Sequence, residues 1–372
     1  MAGQVYVKVG GVWKEADNYY VKVGGVWKTG TEIHAKVSST WEGGSSGPSG
    51  PVGLPSQAEI LGFDIMGFAV PLTDGVVDTR YDVNSIGFDV IGFSVPLAGG
   101  MRAPIVGQQA YTTPGTYSWT CPAGVTSVCV VCIGGGGATN KTGWSGGGAG
   151  GGLGYKNNIS VTPGQSYTVV VGAAGVPGQS GVGVDGGDSY FINTSTVKGG
   201  GGMTQIGYFT GTNATGGTYV GDGGGDGGKG GYYWSGAAGY YGGGGGAGGY
   251  SGAGGNGGTN VSSWSVQVSA GSGGGGGGGW AIQGSVSTDV GGGGGTGLQG
   301  EGTSGAAGTS TANDHGGKGG SGGDNATGNG GKSGANYGGG SSGGNGPLPA
   351  GGAVRIIWGD GRSFPSTRTA DE

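Results

Sequence analysis

Cys129-Val130-Val131-Cys132 has the CxxC spacing of redox and metal sites, and it is the most chemically suggestive motif in the chain. It lies inside a run of β-branched residues. Side chains alternate along a strand, so positions i and i+3 project to opposite faces. No second ligand pair accompanies the motif. Cys121, Cys129 and Cys132 are therefore expected as buried, reduced thiols, too few for a disulfide framework. Gly331-Lys332-Ser333 ends like a phosphate-binding loop, but the glycine required upstream is Ala326, and no strand–helix pair flanks the motif. The acidic turns at 183–188 and 222–226 faintly resemble calcium loops; turn aspartates are the simpler account. The two histidines, His34 and His315, have no Ser or Cys nucleophile signature nearby. No paired carboxylates appear in the context that glycan cleavage needs. The chain is expected to be non-enzymatic, with no cofactor and no metal.

What, then, positions the remaining residues? Of 372 residues, 110 are glycine and 13 are proline, a share that without strict period ordinarily signals low-complexity disorder. Disordered chains are charge-rich and aromatic-poor, whereas here charged residues are 10% and aromatics 9%. The glycine is expected to be packed. Collagen is excluded, because glycines come in runs such as 242–246, 273–279 and 291–295 rather than at every third position. A net charge of −5 with 16 basic residues leaves no electrostatic footprint for nucleic acid. The start of the chain has no signal-peptide pattern, and no stretch is apolar enough for a membrane span. Folding in a reducing cytoplasm is expected.

The first segment repeats with a 14-residue period: Tyr6–Lys14 recurs as Tyr20–Lys28 and, degenerate, as His34–Glu42. Each copy has two short β-prone runs around Gly-Gly or Ser-Ser, a hairpin signature, since glycine supplies positive φ at both turn positions. A lone hairpin buries no core in water. Trp13, Trp27 and Trp41 are therefore candidate attachment residues. A second repeat, offset by 25 residues, matches Gly62–Leu72 to Gly87–Leu97. Further on, Tyr111–Thr120, Val125–Ile133, Asn158–Val161, Ser166–Gly172 and Ala353–Trp358 read as strands, with turns at Pro114-Gly115 and Pro163-Gly164.

Ordered glycine runs need an offset for their entropy loss. A bundle of polyproline-II-type helices provides one. Such helices have three residues per turn and no internal hydrogen bonds, so adjacent glycine helices can bond one another directly. Residues interrupting the runs become tips, and their Tyr, Trp, Ser, Asn and Gly are the composition of antibody paratopes. Candidate receptor-binding residues are Tyr232, Tyr233, Trp234, Tyr240, Tyr241, Trp264, Gln267, Trp280, Asn313, His315 and Tyr337. The alternative is that these aromatics cap the bundle as a small core.

Ala110–Trp119, Pro122–Val128 and Gly134–Gly137 together resemble the glycine-rich domain of phage tail-fibre proteins. Gly187–Phe191, Gly351–Gly359 and Arg362–Thr367 fit the same pattern. The glycine-rich middle is similar to tip adhesins of T-even-like phages, whose glycine helices form a sandwich with receptor-binding loops. The resemblance covers Ile105 onward; the first 104 residues do not match the adhesins' fibre-attachment domain. It implies binding to an outer-membrane protein or surface glycan, without catalysis, by a virion protein. A structural virion component and a glycan depolymerase are the alternatives. Implied partners are a bacterial receptor and other tail or fibre proteins, with a homotrimer and a single copy on a trimeric fibre both open. Neither nucleic acid nor membrane insertion is expected.

The expected fold class is mostly β with irregular structure and essentially no α-helix. Its parts are a β-hairpin attachment module (1–46), a Gly/Ser/Pro linker (47–56) and a two-copy GFDxxGFxVPL repeat (57–104). A β-rich start (105–198), a polyglycine-II sandwich with receptor loops (199–352), and a closing strand and tail (353–372) complete it.

Overall fold

The computed structural model describes 6–9, 12–15, 19–23, 26–30, 33–37 and 40–44. It also describes 105–371, apart from 140–144, 180–181, 206–212, 233–239, 263–264, 284–289, 312–313, 327–332 and 345–346. The chain divides into two units, Met1–Pro104 and Ile105–Glu372. The described residues contain strands and no α-helix, as the turn-rich, β-branched sequence implies. Among them, no helix is long and apolar enough to cross a membrane. The expected linker and GFDxxGFxVPL repeat lie outside the described residues.

In the first unit, β1 (Tyr6–Val9) pairs with β2 (Val12–Glu15), β3 (Tyr19–Val23) with β4 (Val26–Gly30), and β5 (Ile33–Val37) with β6 (Thr40–Gly44). Closing pairs Val9↔Val12, Val23↔Val26 and Val37↔Thr40 leave the expected two-residue centres between strands. Trp13, Trp27 and Trp41 take the same register position in each hairpin, opposite Lys8, Lys22 and Lys36.

The second unit begins with β7 (Gly107–Tyr111), β8 (Gly115–Thr120), β9 (Ser127–Ile133), β10 (Leu153–Ser160) and β11 (Ser166–Val171). There follow β12 (Val176–Gln179), β13 (Val182–Val184), β14 (Ser189–Phe191), β15 (Val197–Gly199), β16 (Tyr219–Val220) and β17 (Gly223–Gly225). Short strands β18 (Tyr240–Tyr241), β19 (Thr259–Ser262), β20 (Ser265–Gln267) and β21 (Ile282–Gln283) precede the closing β22 (Ala353–Trp358). Two five-stranded antiparallel sheets result, ordered β17-β10-β9-β22-β7 and β16-β15-β14-β11-β8.

Two expected strands are redrawn. The Tyr111–Thr120 run divides at 112–114 into β7 and β8, which become edge strands of different sheets. The Asn158–Val161 strand is the far end of a longer β10, bulged between Lys156 and Ile159, with Asn158 at φ 53°. The turn at Pro163-Gly164 is as expected, with Gly164 at φ 78° and the Gln165 amide donating to the Thr162 carbonyl.

Alternation along β9 builds two cores at once. Val128, Val130 and Cys132 enter the inter-sheet core with Trp119, Val169, Phe191, Val197, Val354 and Ile356. Cys129, Val131 and Ile133 enter a second core on the other face, with Leu153, Tyr250, Ile357 and Phe364. The CxxC pair is thus split between faces. Cys129 and Cys132 are free, buried thiols, and desolvation raises the pKa of both.

Candidate receptor-binding end

The glycine runs bond one another with a period of three. Amides of Gly242, Gly245 and Gly248 donate to carbonyls of Ser145, Gly148 and Gly151; those of Gly243 and Gly246 donate to Gly258 and Gly255; those of Gly244 and Ala247 donate to Gly291 and Gly294. The carbonyls follow the same rule. Gly243 and Gly246 accept from Gly231 and Gly228, Gly244 and Ala247 from Gly279 and Gly276, and Gly242 and Gly245 from Gly343 and Gly340. One run therefore has six neighbours, three reached through its amides and three through its carbonyls. That pattern is a three-residue-per-turn helix packed hexagonally, which satisfies its backbone without α-helix or sheet.

At the glycines of this run the spacing leaves no room for a side chain, although Ala247 is accommodated. A Cβ at Gly243 would lie 1.9 Å from the Gly279 carbonyl oxygen, and one at Gly246 would lie 2.1 Å from that of Gly276. The network also reaches back before the expected boundary at 198/199, since residues 134–138 and 145–152 belong to it.

Hydrogen-bond registers define the bundle's two ends. At the sheet end, the runs turn tightly: the Gly249 amide donates to Gly252, Gly275 to Ser272, Gly323 to Gly320, and Gly339 to Ala335. At the other end, Gly343 bonds Gly242, Gly242 bonds Ser145, Gly258 bonds Gly279, Trp280 bonds His315, and Gly291 bonds Trp280. The runs that flank 140–144, 233–239, 263–264, 284–289, 312–313 and 345–346 all terminate at this level.

Several candidates gather there. The Tyr232 amide donates to Thr259 Oγ1 at 3.3 Å, and its side chain is half-buried. Tyr240 pairs with Gln283 through the backbone, and Tyr241 with Ile282. Gln267 is exposed, opposite Thr259, and Trp280 is half-buried. Tyr233, Trp234, Trp264 and Asn313 lie outside the described residues.

Three candidates are not presented as contact residues at that end: two are buried there, and one lies at the opposite end. Tyr241 is buried, which raises its phenol pKa. His315 is buried too, its ring Nδ1 2.9 Å from the Thr309 carbonyl oxygen, where it supports a turn. Tyr337 is at the sheet end, packed against the cluster containing Tyr250 and Leu153.

Sequence reasoning missed two features near the loop end. Thr139 Oγ1 and Ser145 Oγ lie 2.7 Å apart, both buried, and the Gly344 amide donates to Ser145 Oγ. Val176 and Val184, cross-strand partners in the β12–β13 hairpin, are 53% and 61% exposed. The valines' position either side of a Pro-Gly turn signal was the available cue for the second feature.

Charge is sparse. Lys318 pairs with Asp314 and, by that hydrogen bond first, lowers the carboxyl's pKa. The acidic turns accept from backbone amides, Asp185 from Thr204, Asp188 from Gly201 and Asp222 from Asn157, and Asp188 and Asp222 also pair with Lys198 and Lys156. Among the described residues, no group of three or more His, Cys, Asp or Glu is placed to hold a metal ion.

Compared with protein-family models and with curated proteins, the sequence matches none.

Proposed function

We propose that this chain is a phage tail-fibre or fibre-tip adhesin, carried on the virion, which binds a bacterial surface receptor through segments at one end of its glycine bundle. One observation carries the proposal. The runs that flank the aromatic, charge-poor interruptions end together, while the connections at the opposite end are tight turns against the sheets. A rigid scaffold that gathers variable-composition segments at one end is the arrangement that binding loops use. Non-enzymatic action is part of the proposal, as is attachment to other fibre proteins through the repeated hairpins.

The test uses the purified full chain and a panel of bacterial strains. Saturable binding to a subset of strains, blocked by antibody against the glycine-rich unit, is the expected result. Uniform binding or none across the panel would favour a structural virion component. Release of oligosaccharide from intact cells would favour a depolymerase.

A further inference from the structure

The Arg362–Thr367 motif that the sequence singles out plays no part in the loop end. It sits at the other extreme of the unit, in the segment following β22. We propose that residues 359–371 form a latch that fastens the entry strand β7 into its sheet and opens as a separate unit without unfolding the sheets.

Arg362, 4% exposed, is the pin of this latch. Its Nη1 donates to the Gly107 carbonyl at 2.7 Å and to Gln108 Oε1 at 2.9 Å, both on β7. Its Nε and Nη2 donate to the carbonyls of Arg368 and Ala370, which hold the latch in its own bent shape. The fixed fork of a guanidinium suits this task, since it orders two chain segments with one side chain. β7 needs such a fastening. It is an edge strand whose one strand partner is β22, and Gly107 pairs with Trp358 at the end of the sheet remote from the glycine bundle.

Other latch residues reach the rest of the sheet's outer face. Phe364 exchanges two hydrogen bonds with the Asn157 side chain on β10 and stacks on Tyr250 with ring centroids 5.8 Å apart. Arg355 of β22 donates to the carbonyls of Thr369 and Leu298 and pairs with Asp371 at 2.9 Å. The Pro365 carbonyl accepts from the Glu301 amide. Yet the latch adds no strand to either five-stranded sheet. It can leave without breaking a ladder bond, which is the property of a sub-global opening unit.

Cys129 reports on it. Its thiol donates to the Arg362 carbonyl at 3.3 Å and packs in the cluster that Phe364 completes. Cys132, three residues along β9, is fully buried in the inter-sheet core. Latch opening exposes Cys129 while Cys121 and Cys132 stay in the inter-sheet core, whereas global unfolding exposes all three. The experiment treats the full chain with a water-soluble aromatic disulfide under native conditions and locates the labelled cysteine by mass spectrometry. In Arg362→Ala, Cys129 should react about tenfold faster than in the parent, since one charge-assisted bond is worth at least about that factor. Cys132 should be unchanged. If this variant does not fold, the parent chain in sub-denaturing urea should show Cys129 labelled before Cys132. An unchanged Cys129 rate, or parallel rises at Cys129 and Cys132 in either format, would overturn the latch.

Discussion

Tyr250 lies where the sheet and the bundle meet. Its hydroxyl donates to the Gly297 carbonyl at 3.1 Å and accepts from the Gly300 amide at 3.2 Å. Tyr250→Phe keeps the ring but leaves two buried backbone groups without their partner, so it should cost about 1–3 kcal/mol, read as a lower urea midpoint. An unchanged midpoint would mean that other groups or water replace the hydroxyl. Asp222 supplies a pH test. The Asn157 amide, and after it Lys156, lowers its folded pKa below the usual carboxylate value. A depressed folded pKa contributes stability above the unfolded pKa, and that contribution is lost as pH falls through the folded value. The stability gap between parent and Asp222→Asn should therefore be present at neutral pH and close below about pH 4. Partial exposure keeps this gap small. A gap independent of pH would contradict the assignment.

Among the elements, the hairpins and the strands β9, β11 and β22 were legible because their signals are local, whereas the short β14, β15 and β16 were not anticipated. Paired β-branched runs around Gly-Gly specify a hairpin wherever it sits, and alternation along Val128–Ile133 told that Cys129 and Cys132 face apart. β17 was not legible, since Gly223–Gly225 carries no side-chain signal and is a strand only because β10 lies beside it. The end at which each aromatic emerges was equally hidden. Tyr337 and Trp280 sit in similar glycine-rich contexts, and only the bonding register of the runs assigns them to opposite ends. The bundle makes a sharp prediction of its own. Gly243→Ala drives a Cβ to 1.9 Å from a backbone oxygen, whereas Gly351→Ala meets the side chain of Pro114 at 3.3 Å. The first should cost about 3 kcal/mol or more and the second under about 1 kcal/mol, measured by thermal or urea unfolding. Equal costs would show that the runs are not close-packed through their glycines.

On the scale of the whole second unit, the sheets, the latch and the glycine bundle divide the work. The sheets bury two apolar cores, the latch closes the outer one, and the bundle carries the chain away from both and back several times. Backbone bonding between the runs holds this bundle together without side-chain packing along its glycines. Under the proposed adhesin function, that division separates binding from folding. The most direct measurement compares binding of three full-length proteins to a bacterial strain recognised by the parent chain. The first is the parent, the second carries Tyr233→Ser, Trp234→Ser and Trp264→Ser, and the third carries Tyr337→Ser at the sheet end. The account predicts that the second folds like the parent and loses cell binding. It predicts that the third is less stable but binds wherever it is folded. Full binding by the second protein, or loss confined to the folded third, would contradict it.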